Sequence, residues 1–205
     1  MIKIFKMLAW SLALAPVAVL AASNAIEGQY ETIGKVPAKH SLDQVVVEEF
    51  INFTCPHCNN FRGESKLLFR KYGKRIRRVY VPILFRGQAD YPLRLFYIAQ
   101  AAHKEEEVSD AIFDAAFKFN ADIYDKAVVS FLARQAGLYD RYQAESEAAW
   151  VTEKVQAAQQ RAREAGVDAT PTLVLEGALR VTPTSGMSAF VANLDTLFSQ
   201  LLKAH

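Results

Sequence analysis

Cys55 and Cys58 are the residues of this chain best suited to chemistry. They are its only cysteines, and two residues separate them in the run Cys55-Pro56-His57-Cys58. Two thiols at this spacing can close a small disulfide ring, open it and pass it to another protein. The loop that such a bond closes is so small that it adds little stability as a crosslink. The spacing therefore predicts thiol–disulfide exchange.

The elements predicted around the motif favour a reactive thiol. An apolar run over residues 45–51 predicts a buried strand before it, and a helical pattern over residues 59–72 follows it. A thiolate at the start of a helix is stabilised by unpaired N–H groups and by the helix dipole. Pro56 suits the first helical turn because it has no N–H to leave unpaired. His57 adds a donor or a partial positive charge close to Cys55, so both residues are predicted to belong to the catalytic site.

Two other uses of a cysteine pair stay open, a structural disulfide and half of a zinc site. A zinc site needs further ligands, and the chain has no second cysteine pair. His40, His103 and His205 are scattered and lack the spacing of ligands. The sequence thus favours no metal site, and it predicts no cofactor besides the redox-active Cys55–Cys58 disulfide.

The first residues have the pattern of a secretory signal. Lys3 and Lys6 give a basic start, and an uncharged apolar run of about 16 residues follows from Met7 to Ala22. Small residues near its end predict cleavage after Ala21 or one residue later. The run is short for a membrane span, and disulfides persist in exported proteins. We therefore expect export.

The charges of the remaining chain balance. The whole chain has 24 basic and 22 acidic residues, and Lys3 and Lys6 account for the excess. A chain without a basic excess is poorly suited to nucleic acid or to an anionic membrane surface. Neither is expected as a partner.

Strand and helix patterns predict a sheet interrupted by helices. The predicted strands are residues 28–33, 45–51, 75–85, 172–175 and 179–182. Helical periodicity alone fills about residues 89–165, and a terminal helix follows Gly186. Core packing is predicted for the aromatic residues of the helical region, which include Phe96, Tyr97, Phe113, Phe117, Phe131 and Trp150.

The motif and its surroundings resemble the DsbA family of bacterial periplasmic disulfide oxidases. The likeness lies in Glu49-Phe50, Cys55-Pro56-His57-Cys58, Gln29-Tyr30, the helical region, Thr170-Pro171, the Glu176-Gly177 turn and the terminal helix. It implies an α/β fold, namely a thioredoxin fold interrupted by an all-helical insertion domain. The implied parts are a signal at 1–21, a thioredoxin-like domain at 22–85 and 167–205, and a helical insertion at 86–166.

The resemblance implies roles for four residues. Cys55 would be the exposed nucleophile that forms a mixed disulfide with the substrate, and Cys58 would be the buried resolving thiol. Pro171 would be a cis-proline that faces them. Thr170 would offer its backbone to an extended substrate.

Two further residues are implied to tune the site electrostatically. Glu49 matches a buried acid that the family keeps beneath the active site, and its basic companion would be Arg78. Thr170 is a departure, because family members of this type often have Val before the cis-proline. Disulfide isomerases of the same fold often have Thr there, so a hydroxyl at this position bears on substrate preference.

The resemblance implies a monomeric periplasmic enzyme that donates its disulfide to unfolded exported proteins. A membrane-bound, quinone-linked oxidase would reoxidise it. One alternative is a periplasmic isomerase or reductase. An isomerase is disfavoured because the stretch between the signal and the first core strand is too short to hold a dimerisation domain. The other alternative is a holdase-like binding module that uses the groove beside Pro171 without turnover.

Overall fold

A mixed sheet organises residues 25–204, the part of the chain that this computed structural model describes. The strands of that part are β1 (Glu31–Thr32), β2 (Val45–Ile51), β3 (Ile76–Pro82), β4 (Thr172–Leu175) and β5 (Leu179–Val181). Their order in the sheet is β1-β5-β4-β2-β3, in which β2 and β3 are parallel and the other neighbours antiparallel. The predicted signal at residues 1–21 lies outside the described residues.

The α-helices of the described residues form one pair before β3, a long series before β4 and one helix after β5. They are α1 (Pro56–Glu64), α2 (Lys66–Tyr72), α3 (Tyr91–Gln100), α4 (Glu105–Phe117), α5 (Lys126–Gln135), α6 (Tyr139–Glu145), α7 (Ala149–Glu164) and α8 (Met187–Leu201). The single helix predicted over 59–72 is thus two helices. Gly63 and Ser65 explain the break, because both are weak helix formers and Gly/Ser pairs commonly interrupt helices. Among residues 25–204, no helix has the length and apolar character that crossing a bilayer requires.

Strand β2 lies inside the sheet because it is apolar toward both faces. Val45 and Val47 are buried in one apolar core and Phe50 in the other. The strand pairs with β3 as far as Pro82, the last residue of β3. A proline has no N–H to donate to the neighbouring strand, and at the end of a strand this loss disturbs the pairing least. Because β2 ends at Ile51, the cysteine motif follows directly at the carboxyl end of an inner strand.

Two apolar cores join the sheet to two different groups of helices. One core joins the sheet to α1, α2 and α8. The other joins it to helices α3 to α7, which come between β3 and β4 in the chain. This order agrees with the predicted insertion, while the predicted boundaries at residues 85/86 and 166/167 stay a prediction.

Aromatic residues of the helical region do not all pack into the core. Those inside it are Phe96, Tyr97 and Phe113, and Trp150 packs against it partly buried. Phe131 is 58% exposed, so core packing is wrong for this residue, and Phe117 is 38% exposed. The reason is helical geometry: Phe131 lies two residues from both Val129 and Ala133, which are buried, and therefore on the other side of α5.

Candidate active site

Cys55 is the N-cap residue of α1, and Pro56 occupies the first helical turn. The Cys55 sulfur accepts a hydrogen bond from the Cys58 N–H at 3.4 Å. The Cys55 N–H donates to the Asn52 carbonyl at 3.0 Å, which ties the residue to the end of β2. Both cysteines are free thiols in this structure. The sulfur therefore faces the N–H groups of the first helical turn, as the sequence predicts.

The two sulfurs differ sharply in acidity. The pKa of Cys55 is lowered to about 5, chiefly because the Cys58 thiol donates to its thiolate. Partial burial opposes this change, while the Thr170 side chain and the N–H groups of Cys58 and His57 support it. Cys58 is only 2% exposed, and burial raises its pKa well above the ordinary range. At neutral pH the pair therefore holds one thiolate, at Cys55, and one thiol.

His57 contributes to this acidity through its backbone. Its N–H helps to lower the pKa of Cys55, whereas its exposed ring makes no hydrogen bond to either sulfur in the described structure. His57 is among the residues that line a cavity beside Thr170 and Pro171. An electrostatic role for the ring stays a prediction. Among residues 25–204, no group of three or more His, Cys, Asp or Glu side chains is arranged to hold a metal ion.

The Thr170–Pro171 segment lies directly against the cysteine pair. The peptide bond between these residues is cis, as the resemblance implied. The Cys55 thiol donates to the Thr170 carbonyl at 3.1 Å. The Thr170 hydroxyl is buried without a hydrogen-bond partner in the thiol form, and it lowers the pKa of both sulfurs. It is thus available as a donor when Cys55 is ionised.

A cavity of about 500 Å³ opens beside this segment. Its wall includes His57, Thr170, Pro171, Thr182 and Met187. The cavity brings the motif helix and the cis-proline loop to one surface, although they are more than 100 residues apart in the chain. This surface has room for part of a polypeptide next to the reactive sulfur.

Glu49 and Arg78 form the buried ion pair that the resemblance implied. The Glu49 side chain is 3% exposed, and it accepts two hydrogen bonds from the guanidinium, one of them at 2.9 Å. The Arg78 guanidinium lies 4.4 Å from the ring centres of both Phe69 and Tyr80. The carboxylate is therefore fixed by the neighbouring strand β3, which carries Arg78, while an influence on the cysteines stays a prediction.

A polar network before Cys55 was not predicted from the sequence. The Asn52 side chain accepts from the Thr54 N–H at 3.0 Å and donates to Gln88 at 2.7 Å. The Thr54 hydroxyl contacts the Tyr124 hydroxyl at 3.1 Å. Asn52 gives a weak sequence signal, because it is a polar residue at the end of a buried strand. Gln88 and Tyr124 give none, since they lie 34 and 70 residues beyond Thr54.

Comparison with known proteins identifies the family. Residues 32–194 match the family model described as thioredoxin. The thiol:disulfide interchange protein DsbA of Burkholderia cepacia is 28% identical over 168 residues, which cover 80% of this chain and 79% of that protein.

Solved DsbA structures are similar in fold. DsbA from Xylella fastidiosa has a TM-score of 0.67 at 24% identity, with 77% of this chain and 86% of that chain covered. DsbA from Pseudomonas aeruginosa has a TM-score of 0.68 at 19% identity, with coverages of 83% and 91%. A Proteus mirabilis DsbA variant with a non-covalently bound peptide, PWATCDS, has a TM-score of 0.63 at 20% identity, with coverages of 87% and 97%.

These matches confirm the predicted fold class, a thioredoxin fold with inserted helices. The family model spans well over half of the chain and includes the cysteine motif, the Glu49–Arg78 pair and the cis-proline. The chain therefore belongs to the thioredoxin family, in which it is a disulfide oxidoreductase similar to the DsbA proteins.

Proposed function

We propose that the chain is a dithiol oxidase that donates its Cys55–Cys58 disulfide to exported proteins. The observation that carries the proposal is the position of the Cys55 sulfur, at the N-terminus of α1 and within reach of the Cys58 N–H and thiol. Contacts that stabilise the Cys55 thiolate stabilise the reduced enzyme. They thereby make the disulfide a stronger oxidant.

The first step forms a mixed disulfide. A substrate thiolate attacks the Cys55 sulfur, which is more exposed than the Cys58 sulfur. The bond between Cys55 and Cys58 breaks, and its electron pair leaves with Cys58. Burial raises the pKa of Cys58, so this sulfur takes up a proton and becomes a thiol.

The second step releases oxidised substrate. A second substrate thiolate attacks the substrate sulfur of the mixed disulfide, and Cys55 leaves as a thiolate. The lowered pKa of Cys55 favours its departure, because a thiol of low pKa leaves faster. The substrate has then lost two electrons, which the enzyme holds as the Cys55 thiolate and the Cys58 thiol. Attack by Cys58 would instead return reduced substrate, and its protonation slows that competing path.

The cavity beside Thr170 and Pro171 is the proposed substrate site. It opens next to the Cys55 sulfur, and Thr170 presents its backbone there. The cysteine-containing peptide bound to Proteus mirabilis DsbA supports a polypeptide ligand. Unfolded exported proteins with free thiols are therefore the proposed substrates.

Export and reoxidation complete the proposal. The basic, apolar and small-residue pattern of the first 22 residues supports removal of a signal and a periplasmic location. A monomer there would be reoxidised by a membrane-bound, quinone-linked oxidase. The intact mass of the protein from a periplasmic extract should correspond to a chain that starts at Ala22 or Ser23. A chain that retains Lys3 and Lys6 would contradict removal of the signal.

The reduction potential is the decisive measurement, because Thr170 also favours the alternative of an isomerase or reductase. Equilibration with glutathione buffers should give a value closer to the about −120 mV of DsbA than to the about −270 mV of thioredoxin. A value near the thioredoxin potential, with the pair found reduced in the periplasm, would assign the alternative.

Two variants test the different roles proposed for the Cys55 and Cys58 sulfurs. Cys55→Ser should abolish oxidation of a reduced, unfolded protein, because the attacked sulfur is gone. Cys58→Ala cannot form the Cys55–Cys58 disulfide, so it should not oxidise this substrate. When it is mixed with a disulfide-bonded substrate, its Cys55 thiolate attacks that disulfide, one substrate sulfur leaves as a thiolate, and the mixed disulfide should accumulate because the buried thiol that would release it is absent. Non-reducing gel electrophoresis separates these species. Full turnover by Cys55→Ser would contradict the assignment.

A further inference from the structure

An apolar cleft lies between α4 and α5, away from the cis-proline. We call it the α4–α5 cleft and define it by Ala115, Phe119, Ala121, Val128, Phe131 and Leu132. Its volume of about 400 Å³ falls within the range of ligand sites, about 300–1,000 Å³. Phe119 is 77% exposed and Phe131 is 58% exposed, so two large rings face solvent at one place.

The exposed rings are carried by ordered backbone. The Phe119 N–H donates to the Asp114 carbonyl at 3.2 Å, and the Ala121 N–H donates to the Ala115 carbonyl at 2.9 Å. Phe131 lies within helix α5. A rigid apolar surface binds a partner at a smaller entropic cost than a mobile one. The cleft is thus preformed for a ligand.

The segment that lines the cleft leads directly to the active site. Ala121 lies three residues before Tyr124, whose hydroxyl contacts the Thr54 hydroxyl at 3.1 Å. Thr54 is the neighbour of Cys55 in the chain. From Ala121 to Tyr124 the backbone spans at most about 11 Å. These steps place the cleft within about 30 Å of Cys55, a distance that about nine extended residues cover.

The charges at the cleft suit an apolar ligand. Its one carboxylate, Asp114, is already paired with Arg62 at 2.7 Å and with Lys118 at 2.7 Å. The remaining polar lining residue, Gln135, is uncharged. An apolar side chain that enters the cleft therefore desolvates no bare charge.

We propose that the α4–α5 cleft is a second binding site for the substrate polypeptide, where an apolar side chain docks while a cysteine of the same chain reacts at Cys55. This inference rests on the proposed function. An unfolded protein fits because it exposes the apolar side chains that a folded protein buries. The cleft thus favours unfolded substrates over folded ones that expose a thiol.

The test compares three kinds of reduced substrate. Two-cysteine peptides carry a Phe eight residues before or after the first cysteine, matched peptides carry Ser at that place, and dithiothreitol has no apolar side chain. The wild-type enzyme should oxidise one Phe peptide with a kcat/KM about tenfold above that of its Ser match, equivalent to about 1.4 kcal/mol. The double variant Phe119→Ser/Phe131→Ser should lose this preference and keep its rate with dithiothreitol.

Leu67→Ser is the matched control. Leu67 is 71% exposed on α2, outside the cleft and the active site, so its loss should leave the preference unchanged. Retention of the preference by the double variant, or its absence in the wild type, would overturn the inference while dithiothreitol oxidation upholds the proposed function. Sedimentation that shows a dimer lost in the double variant would assign the cleft to a second copy and also overturn it. A wild-type enzyme that oxidises none of the substrates would overturn the proposed function itself.

Discussion

Burial and helix position act in opposite directions on the two sulfurs of the motif. Cys55 stands at the helix start and stays partly exposed, and its pKa is lowered to about 5. Cys58, one turn into the same helix, is buried, and its pKa is raised. The Cys58 thiol is also the main stabiliser of the Cys55 thiolate. The Cys58 side chain is thus the second thiol of the redox pair, and it also makes Cys55 a good leaving group.

Thr170→Val is expected to raise the pKa of Cys55. The substitution removes a buried hydroxyl that lowers this pKa, while it preserves the shape of the side chain. A hydrogen bond to a charged group contributes about 1.5–3 kcal/mol, so the pKa should rise measurably above its wild-type value of about 5. Ultraviolet thiolate absorbance against pH measures it. Thr182→Val, in the wall of the same cavity, should not move the midpoint. An unchanged midpoint in Thr170→Val would contradict the role of the hydroxyl.

Among the elements, strand β2 carries two adjacent carboxylates whose ion pairs differ in burial. Glu49 pairs with Arg78, with side chains 3% and 18% exposed. Glu48 pairs with Arg161 on α7, with side chains 21% and 30% exposed. Neighbouring strand residues face opposite sides of the sheet, so the two pairs stabilise different packing layers.

Glu49→Gln is expected to destabilise the protein far more than Glu48→Gln. Loss of one partner from a buried pair leaves the other charge uncompensated and costs about 3–5 kcal/mol. For the more exposed pair the expected cost is about 1 kcal/mol or less. Urea unfolding at neutral pH measures both. Equal losses of unfolding free energy would mean that burial of the Glu49–Arg78 pair does not matter.

The loop between α4 and α5 braces the residues that precede the motif. The contact between the Tyr124 and Thr54 hydroxyls joins this loop to the end of β2. The Thr54 and Cys55 N–H groups both donate to Asn52, to its side chain and its carbonyl respectively. Their exchange with solvent therefore reports on the brace.

Tyr124→Phe is expected to speed amide exchange at Thr54 and Cys55 by about 2–10-fold, because a hydrogen bond contributes about 0.5–1.5 kcal/mol. Hydrogen exchange followed by mass spectrometry or NMR measures the rates. Tyr142→Phe is the matched control, since the Tyr142 hydroxyl is buried without a hydrogen-bond partner. Its removal should leave the exchange of both amides unchanged. Identical rates in the two variants would show that the contact does not brace the motif.

Local sequence patterns predict the elements that hold the motif, but they do not predict contacts between residues that are distant in the chain. The apolar run, interrupted only by Glu48 and Glu49, predicts β2 with its observed ends, Val45 and Ile51, because a strand buried on both faces needs no strict alternation. The Thr54–Tyr124 contact joins residues 70 apart in the chain, and no local spacing records it. Phe131 is misassigned to the core because its type suggests burial, whereas its helical phase turns it to solvent.

For the whole molecule, the acidity of Cys55 couples redox state to folding stability. Its folded pKa of about 5 lies below the ordinary value of 9.0. The thiolate therefore stabilises the reduced fold fully above the unfolded pKa, and this contribution is lost as pH falls through about 5. The oxidised protein has no titrating thiol at this position. The reduced form should consequently be the more pH-sensitive of the two.

Between pH 7 and pH 4.5, the reduced protein should lose about 1–2 kcal/mol more unfolding free energy than the oxidised protein. This magnitude allows for the solvent screening of a half-buried thiolate. Urea unfolding of both forms at the two pH values, without oxygen, measures the difference. Reduced Cys55→Ser lacks the titrating sulfur and should show only the smaller loss. Equal losses in the two wild-type forms would mean that Cys55 is protonated at neutral pH, which would remove the physical basis for a strongly oxidising disulfide.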